Sequence, residues 1–547
     1  MSENLSALSG RKGLQRNLFE ALGVAAETEG TPSPEMMAQL ADEFLFGKAN
    51  VYGTTSFYDF LKPENRGKKA YLCDGSACLT AGTQGELKRR LGAHFDDSEM
   101  GVMRCLGRCH ENNAFHCAGK NYSGKAIEQI EQIKAKQTAY PDDYAVSVKG
   151  AGILTAPSPG YDILKNALQQ PPETLLEQLK TSGLRGRGGA GFPTAFKLEA
   201  CRNAAGTTKF IVCNADEGDP GAFSDRYIME HRPHSLLMGM ILAGYVAGAS
   251  WGVVYIRGEY PESIVRIRAA VEELQGAGLS GKDIFGSGFS FEFKVIAAQG
   301  AYICGEETAL LSSIEGQRPE VRVRPPYPAV QGLFNQPTVV SNVETLANIP
   351  WIAQHGGAAF ARIGTAKSTG TKLISLDGHF HRPGICEVDM GTPLSEVIHE
   401  MGGGFRHPVK ALHIGGPLGG LVPVHKIALL SVDFDTFSKE GFLLGHASVV
   451  CIPEDFSVME YLEHLFEFTA HESCGKCFPC RLGSTRGHEM LQRAREGSYR
   501  IDRVLFQDLL ETMATGSLCA LGGGLPLPVR NAMEYFDSEL SPYFLSV

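Results

Sequence analysis

The positions of the cysteines constrain this chain more than any other feature of its sequence. Three of the 14 cysteines, Cys474, Cys477 and Cys480, are each separated from the next by two residues. Three thiolates at this spacing can bind one face of a cubane iron–sulfur cluster, and a further cysteine must complete the site. The nearest downstream cysteine is Cys519, in the segment GSLCALGG. We therefore expect a [4Fe-4S] cluster whose fourth ligand comes from a distant helix end.

Zinc is the alternative ligand for these thiols, in a non-catalytic scaffold protein. Structural zinc sites generally use two separated pairs of ligands, whereas the three cysteines here lie within seven residues. Bacterial ferredoxins place a fourth cysteine three residues further on, followed by proline. Here Arg481, Leu482 and Gly483 follow instead. The spacing favours an iron–sulfur cluster over zinc and departs from the ferredoxin pattern.

A second cysteine pattern lies near the N-terminus. Cys73 and Cys78 follow one strand-like run, Cys105 and Cys109 follow another, and a helix-like segment separates the two loops. Four thiolates from two loops suit a [2Fe-2S] cluster, with two cysteines on each iron. Two disulfides or a zinc site would need the same four residues, but a reducing cytoplasm disfavours disulfides.

The length of 547 residues predicts about three to four domains at roughly 150 residues each. An N-terminal helical segment precedes a compact α/β module. The next and largest unit alternates strand-like runs with helices and glycine-rich loops, which is typical of an open, mostly parallel sheet covered on both faces. A small α+β unit and a helical segment follow. The predicted domains span residues 1–148, 149–368, 369–455 and 456–547.

Charge and hydropathy exclude two classes of partner. The formal net charge of -10 disfavours a protein that binds nucleic acid. The first residues, MSENLSALSGRKG, lack the apolar core of a signal peptide, so we expect a cytoplasmic protein. Residues 236–256 carry no charge and are long enough to cross a membrane. Their glycines and the tail WGVVYI instead predict a buried helix followed by a buried strand, and hence no membrane association.

A glycine-rich loop lies between residues 183 and 197, which read GLRGRGGAGFPTAFK. Gly186, Gly188 and Gly191 match the pattern G-x-G-x-x-G, but the loop follows a helix-like segment, whereas a dinucleotide fingerprint follows a strand. The glycines still allow backbone N–H groups to approach a ligand. Arg187 and Lys197 add positive charge. We interpret the loop as a cradle for a nucleotide or a flavin.

Two polar clusters accompany this loop. The strand-like run KFIVCN leads into a segment with four polar residues at a strand end, where α/β sheets bind ligands. A second cluster lies between a predicted strand and a helix, where acidic groups can also act as simple helix caps. We expect both clusters to accept hydrogen bonds from ribose hydroxyls and a flavin edge. The two clusters are Asn214, Asp216, Glu217 and Asp219, and Gly305, Glu306 and Glu307.

These motifs resemble a known family. The segments GLRGRGGAGFPTAFK, CNADEGDPGAF, AYICGEETALL, SNVETLANIP, ESCGKCFPCR and SLCALGG are similar to those of the flavin- and NADH-binding subunit of respiratory NADH dehydrogenase, over residues 150–547. The N-terminal segment, with VYGTTSFYDF and both cysteine loops, resembles the thioredoxin-like [2Fe-2S] subunit of the same enzymes. Such fusions occur as diaphorase subunits of cytoplasmic NAD-dependent formate dehydrogenases and NAD-linked hydrogenases.

The resemblance implies an α/β multidomain fold: a thioredoxin-like [2Fe-2S] domain, a Rossmann-like FMN/NADH domain, a small β-grasp-like domain and a C-terminal helical bundle with the [4Fe-4S] cluster. Asp219 replaces a frequent glutamate and Ser341 a frequent asparagine, and with Glu217 they complete the implied cofactor contacts. The resemblance places these residues around FMN: Gly186, Arg187, Gly188, Lys197, Asn214, Asp216, Gly305, Glu306, Glu307 and Asn342. It places these residues against NAD(H): Phe192, Glu307 and Tyr327, the last where phenylalanine is frequent.

The implied function is hydride exchange between NAD(H) and FMN, followed by single-electron transfer through one [4Fe-4S] and one [2Fe-2S] cluster. No catalytic acid or base is expected, because the bond-making belongs to the cofactors. The expected partner is a molybdenum- or tungsten-containing formate dehydrogenase subunit with further iron–sulfur clusters. An NAD-linked hydrogenase is the alternative, although such fused chains often carry a C-terminal ferredoxin-like extension and this sequence stops at Val547.

Overall fold

The computed structural model describes residues 14, 16–136 and 142–545, so the expected lack of a signal peptide lies outside the described residues. The N-terminal domain contains a four-stranded sheet of order β2-β1-β3-β4, in which β1 and β2 are parallel. Its strands are β1 (Ala70–Cys73), β2 (Met100–Met103), β3 (Phe115–Cys117) and β4 (Lys120–Tyr122). Its helices are Leu18–Glu29, Pro34–Phe44, Lys48–Thr55, Ser76–Thr80, Gln84–Leu91 and Ile130–Lys134.

Strand β5 (Ala145–Lys149) precedes the largest domain, whose four-stranded sheet has the order β8-β7-β6-β9. All of its strands are parallel, as the alternation of strands and helices predicts. They are β6 (Phe210–Ala215), β7 (Trp251–Ile256), β8 (Glu292–Ala297) and β9 (Thr338–Asn342). The helices are Asp162–Leu168, Pro172–Ser182, Thr194–Asn203, Ser224–His231, Pro233–Ala247, Pro261–Gly276, Glu307–Ile314, Val343–Ala347, Ile349–His355 and Gly357–Ala361.

The uncharged segment 236–256 is a core element of this domain. It forms most of helix Pro233–Ala247 and the whole of β7, and nearly all of its side chains are buried. Gly239 and Gly244 allow the close packing, because a Cβ at either position would overlap Leu346 or Phe291. The prediction of a buried helix and strand is confirmed. Among the described residues no helix is long and apolar enough to span a membrane.

The third sheet has six strands in the order β13-β12-β14-β10-β11-β5. Because β5 pairs in parallel with β11, this sheet includes a strand that precedes the largest domain. The predicted boundary between residues 148 and 149 falls inside β5. The remaining strands are β10 (Thr371–Leu376), β11 (Gly384–Asp389), β12 (Val409–Ile414), β13 (Gly420–Pro423) and β14 (Ser448–Pro453), with helices Leu394–Glu396 and Phe434–Lys439.

The C-terminal region is helical, as its periodicity predicts. Apolar side chains of the long helices form one buried cluster that includes Leu462, Leu491 and Leu510. This cluster also contains Ala411 and Leu421 of the third sheet, so the helices pack on that sheet. The helices are Val458–Glu472, Phe478–Arg495, Arg503–Gly516, Ala520–Gly524, Pro526–Tyr535 and Asp537–Leu540.

A single carboxylate, Asp142, joins the N-terminal domain to the largest domain. It forms ion pairs with Arg108, with Arg226 (Nη2 to Oδ2, 2.7 Å) and with His110 (Nε2 to Oδ1, 2.9 Å). Both arginine side chains are almost fully buried. Burial alone would raise the pKa of Asp142, but Arg226, His110 and Arg108 outweigh burial and lower the pKa well below its usual range.

We expect Asp142→Asn to lower the free energy of unfolding at pH 7 by about 3 kcal/mol, because it leaves buried cations without their carboxylate. A depressed pKa stabilises the fold at pH values above the unfolded pKa, and this contribution disappears as the pH falls through the folded pKa. The difference between variant and wild type should therefore shrink in acid. Urea unfolding at several pH values measures it. The control is Asp143→Asn at the exposed neighbouring position, and an equal effect of both variants at pH 7 contradicts the prediction.

Candidate functional site

The candidate site lies at the carboxyl edge of the parallel sheet. Asn214 at the end of β6 lies opposite Asn342 at the end of β9, and Ser341 is one residue before it. The Asn214 Nδ2 donates a hydrogen bond to the carbonyl of Gly305 at 2.8 Å. The segments that follow β6, β8 and β9 therefore meet at one place. The edge of this sheet brings together residues from three of the predicted motifs.

The glycine-rich loop closes over this edge. It follows helix Pro172–Ser182 and leads into helix Thr194–Asn203, so the predicted helix before the loop is confirmed. The Gly186 N–H donates to the carbonyl of Phe192 at 2.8 Å, which folds the loop back on itself. A Cβ at Gly188 would lie 3.0 Å from the Cβ of Asn342. The loop backbone therefore lies directly against the end of β9, where a side chain would fill the space.

Two cations of the loop region have different environments. Lys197 Nζ lies 3.0 Å from Glu307 Oε2 and 3.3 Å from the carbonyl of Val340. Arg187 is fully buried; its guanidinium donates to the carbonyl of Thr369, but its Nε and Nη1 have no partner among the described residues. Burial lowers the pKa of Arg187 to about 10, so it keeps its charge at neutral pH. A buried cation with unused donors fits an anionic ligand.

Asp216 is a second group with an unused polar atom. Its backbone N–H donates to Asn214 Oδ1 at 3.2 Å, while its Oδ2 is buried and has no partner among the described residues. Burial raises the pKa of the Asp216 carboxyl well above its usual range. The carboxyl is therefore protonated at neutral pH and can donate a hydrogen bond to a ligand. Together with Arg187 and the glycine cradle, this group makes the site fit FMN.

Three predicted acidic contacts already have partners within the protein. Glu217 accepts hydrogen bonds from the N–H groups of Asp225 and Arg226 at 2.9 and 3.0 Å. Asp219 accepts from the Tyr302 hydroxyl at 2.7 Å. Glu306 Oε2 accepts from two N–H groups of helix Glu307–Ile314, each at 2.9 Å, and so caps that helix. The helix-cap interpretation therefore describes the Glu306 side chain.

Two aromatic side chains beside the site are exposed. The relative exposure of Phe192 is 44% and that of Tyr327 is 59%. Phe192 packs edge-on against Phe196 with ring centroids 5.6 Å apart, which leaves a ring face open. Between them, Glu307 Oε1 accepts a hydrogen bond from Arg324 at 2.9 Å. Exposed rings next to a polar cleft fit stacking against a nucleotide.

Sequence reasoning missed a buried network behind Asn342. Asn342 Nδ2 donates to Asp225 Oδ2 at 2.6 Å, and His446 Nε2 lies 3.1 Å from the same oxygen. His446 comes from the loop before β14, and no local motif marks it. His446, Asp225 and Glu217 place ligand atoms close enough to hold a metal ion, but the Glu217 oxygens already accept backbone hydrogen bonds. The geometry instead fits an imidazolium between two carboxylates.

The N-terminal cysteines form one buried group of free thiols. The Sγ atoms of Cys105 and Cys109 are 3.4 Å apart. A Cβ at Gly75 would lie 3.2 Å from Cys105 Sγ and 3.6 Å from Cys73 Sγ, so the two loops meet there. Hydrogen bonding to Cys105 and Cys78, together with burial, raises the pKa of Cys73. All four predicted ligands therefore lie together.

The C-terminal cysteines form a second group. Cys474 and Cys480 are buried, while Cys477 and Cys519 are partly exposed and are the N-cap residues of helices Phe478–Arg495 and Ala520–Gly524. Burial raises the pKa of Cys519 to about 12, and the proximity of Glu306, Cys480 and Cys474 adds to this effect. The structure thus brings the distant Cys519 to the triplet, at a helix end. Clustered thiols are the donor set that iron–sulfur clusters require.

The two cysteine groups are associated with opposite faces of the parallel sheet. Ile211 and Cys213 of β6 belong to the same buried cluster as the N-terminal cysteines. Phe210 and Val212, on the other face of β6, belong to the cluster that contains Cys474 and Cys480. Because side chains alternate along a strand, the sheet lies between the two groups. The candidate ligand site at its edge is therefore flanked by both.

Comparison with protein families agrees with this arrangement. Residues 6–137 match the thioredoxin-like [2Fe-2S] ferredoxin family. Residues 179–351 match the Nuo51 FMN-binding domain. Residues 460–543 match the NADH-ubiquinone oxidoreductase-F iron–sulfur binding region. These matches confirm the expected fold class and the expectation of FMN, NADH, [2Fe-2S] and [4Fe-4S] cofactors.

Individual relatives cover most of the chain. It is 42% identical over 383 residues to the NADP-reducing hydrogenase subunit HndC of Solidesulfovibrio fructosivorans, covering 70% of this chain and 78% of the relative. It is 41% identical over 414 residues to the second F-type subunit of the NADH-quinone oxidoreductase of Rhizobium meliloti (strain 1021), covering 75% and 97%.

One solved structure matches along almost the whole length. A chain of an NAD+-reducing [NiFe]-hydrogenase in the H2-reduced state superposes with a TM-score of 0.86 at 28% identity, covering 97% of this chain and 94% of that chain. The chain therefore belongs to the family of the F-type subunits of NADH-quinone oxidoreductases: it is a diaphorase-type oxidoreductase subunit with a thioredoxin-like [2Fe-2S] domain, an FMN- and NADH-binding domain and a helical [4Fe-4S] domain.

Proposed function

We propose that this chain is the diaphorase subunit of a cytoplasmic NAD-dependent formate dehydrogenase. In this role it exchanges electrons between NAD(H) and a partner subunit that interconverts formate and carbon dioxide. The main support for the electron-transfer role is the position of the ligand site, at one sheet edge between two groups of four thiols. The proposal for the partner rests on the fusion of the [2Fe-2S] domain to the flavin domain in one chain.

When bound, FMN supplies hydride exchange with NAD(H) and single-electron exchange with the clusters. In the proposal, Arg187 and Lys197 provide positive charge for the phosphate, and Gly186, Gly188 and Gly305 allow the backbone to approach. Asn214 and Asn342 offer amide groups, and the protonated Asp216 donates a hydrogen bond. Because Arg187 and Asp216 have buried, unused polar atoms, a polar ligand satisfies them at no loss of other hydrogen bonds.

Phe192, Tyr327 and Glu307 are the proposed contacts of NAD(H). The two exposed rings offer stacking surfaces, and Lys197 and Arg324 hold Glu307 in place. Glu306, Ser341 and Asp219 border the same site, and Glu217 supports it from behind through its backbone hydrogen bonds. No side chain of the site needs to act as an acid or base for hydride exchange.

Cys73, Cys78, Cys105 and Cys109 are the proposed ligands of the [2Fe-2S] cluster, and Cys474, Cys477, Cys480 and Cys519 those of the [4Fe-4S] cluster. Two of the C-terminal cysteines are partly exposed, whereas all four N-terminal ones are buried. The C-terminal group is therefore the better candidate for electron exchange with a partner subunit. The partner must supply molybdenum or tungsten and further clusters.

Purification with co-eluting subunits, followed by assays of NAD reduction by formate and by hydrogen, tests the partner. Activity with formate alone, and molybdenum or tungsten in the complex, is the expected result. An NAD-linked hydrogenase is the second candidate, because the hydrogenase chain matches 97% of this chain. Activity with hydrogen, and nickel in place of molybdenum or tungsten, would replace the first proposal by the second.

His446 gives the site a predicted pH dependence. Burial alone would lower the pKa of His446, but Asp225 and Glu217 outweigh burial and raise the pKa to about 9, against the opposing charge of Lys372. The imidazolium therefore stabilises the fold fully below the unfolded pKa of about 6.5, and this contribution is lost as the pH rises through about 9. The expected size is about 3 kcal/mol.

We expect His446→Gln to lower stability and FMN affinity at pH 6.5 and to flatten their decline between pH 6.5 and 9. Thermal unfolding and flavin fluorescence across this range measure both quantities. The exposed His407 provides the control variant His407→Gln. A His446→Gln profile parallel to that of wild type contradicts the assignment.

A further inference from the structure

Arg257 is a buried cation that contacts the backbone of both proposed cofactor sites. It is the first residue after β7 and is 2% exposed. Its Nη2 donates to the carbonyl of Cys105 at 2.7 Å, and its Nη1 donates to the carbonyl of Glu217. Cys105 is a proposed [2Fe-2S] ligand, and Glu217 follows Asp216 at the flavin site. One guanidinium therefore joins the cysteine loop to the acidic loop at the sheet edge.

The surroundings of Arg257 fix the Cys105 loop from a second direction. The guanidinium lies 4.9 Å from the ring centroid of Tyr260. The same ring packs on Gly107, where a Cβ would lie 2.4 Å from a ring carbon. The Gly107 N–H donates to Cys105 Sγ at 3.3 Å. Arg257 and Tyr260 thus position both a carbonyl and a sulfur hydrogen bond of the same cysteine.

A neighbouring carboxylate offsets the charge of Arg257. Glu259 Oε1 lies 2.9 Å from Arg257 Nη2, and both side chains are almost fully buried. Glu259 Oε2 has no hydrogen-bond partner among the described residues. Removing either member of the pair therefore leaves the other charge buried, with opposite sign in the two cases.

We infer that Arg257 is a positioning residue that holds the Cys105 loop against the flavin-side loop and raises the reduction potential of the [2Fe-2S] cluster, with Glu259 opposing it. The inference rests on the proposed cluster ligands. Reduction adds one electron to the cluster, and a nearby buried cation stabilises the more negative reduced form, because screening is weak in the protein interior.

The test is an EPR-monitored redox titration of the full chain, with the [4Fe-4S] signal as internal reference. We expect Arg257→Gln to lower the [2Fe-2S] midpoint potential by a tenfold change in the reduction equilibrium, which is 59 mV for one electron. Glu259→Gln should shift it in the opposite direction. Arg257→Lys, which keeps the charge, and Arg257→Gln/Glu259→Gln, which removes both charges, should each restore most of the wild-type value.

The exposed Arg268 supplies the control variant Arg268→Gln, which should leave both potentials unchanged. If Arg257→Gln does not assemble its cluster, the upward shift in Glu259→Gln decides the question. Unchanged [2Fe-2S] potentials, or equal shifts of both clusters, overturn the inference while the proposed function stands. A wild-type protein without a reducible [2Fe-2S] signal overturns the proposed cluster site and the inference together.

Discussion

Replacing Cys477 by serine is expected to remove the [4Fe-4S] cluster while leaving the fold intact. Cys477 is the N-cap residue of helix Phe478–Arg495, with φ -99° and ψ 137°, and its side chain makes no capping hydrogen bond. Serine is a preferred N-cap residue and should stabilise this helix by about 1 kcal/mol. The substitution therefore removes a thiolate without removing a structural contact. Iron content should fall to roughly one third, the share of the [2Fe-2S] cluster.

EPR of the reduced protein, iron analysis and electron transfer to the partner measure this effect. The [4Fe-4S] signal and transfer to the partner should be lost, while reduction of an artificial acceptor that takes electrons from the flavin persists. Cys386→Ser is the matched control, because Cys386 is buried far along the chain from both groups and its Sγ already lies 3.2 Å from the Ser147 hydroxyl. A Cys477→Ser protein with full iron and an unaltered spectrum would refute the ligand assignment.

Alanine at Gly186 or Gly305 is expected to weaken FMN binding by about tenfold or more, which is about 1.4 kcal/mol. A Cβ at Gly186 would lie 3.5 Å from the Phe192 carbonyl oxygen, and one at Gly305 would lie 3.4 Å from the Asp216 carbonyl oxygen. These are ordinary contacts, so the protein itself accepts either methyl group. Only a ligand lying against the backbone can account for a loss, and the double variant should bind no FMN.

Flavin fluorescence gives the dissociation constant, and thermal unfolding without flavin reports on the fold. Gly276→Ala is the matched control, because a Cβ there meets no heavy atom of the described residues within 4 Å. We expect all these variants to unfold within a few degrees of wild type. Wild-type FMN affinity in the Gly186→Ala/Gly305→Ala protein would exclude the proposed cradle.

Local spacing accounts for the parts of the site that the sequence alone could predict. Cys474, Cys477 and Cys480 lie within seven residues, so their chemistry depends little on the rest of the fold. The expectation that Cys519 joins them from a helix end agrees with its place before helix Ala520–Gly524. The parallel sheet was predictable for a similar reason, because buried parallel strands such as β7 are continuous apolar runs.

Long-range packing accounts for what the sequence did not reveal. β5 has mostly exposed side chains and lies at a sheet edge, so its hydrophobic pattern is weak and its pairing with β11 depends on a segment more than 200 residues away. His446 contacts Asp225 across 221 positions, and Arg257 contacts Cys105 across 152. Neither belongs to a local motif, and each is identified only when separate domains are placed together.

Anaerobic titration of the purified chain with NADH, followed by visible absorption and EPR, tests the central claim most directly. The account predicts bound FMN that is bleached by NADH, acid-labile sulfide, and two distinct iron–sulfur signals that appear on reduction. A protein purified without air that contains neither flavin nor sulfide, or in which NADH reduces nothing, would contradict it.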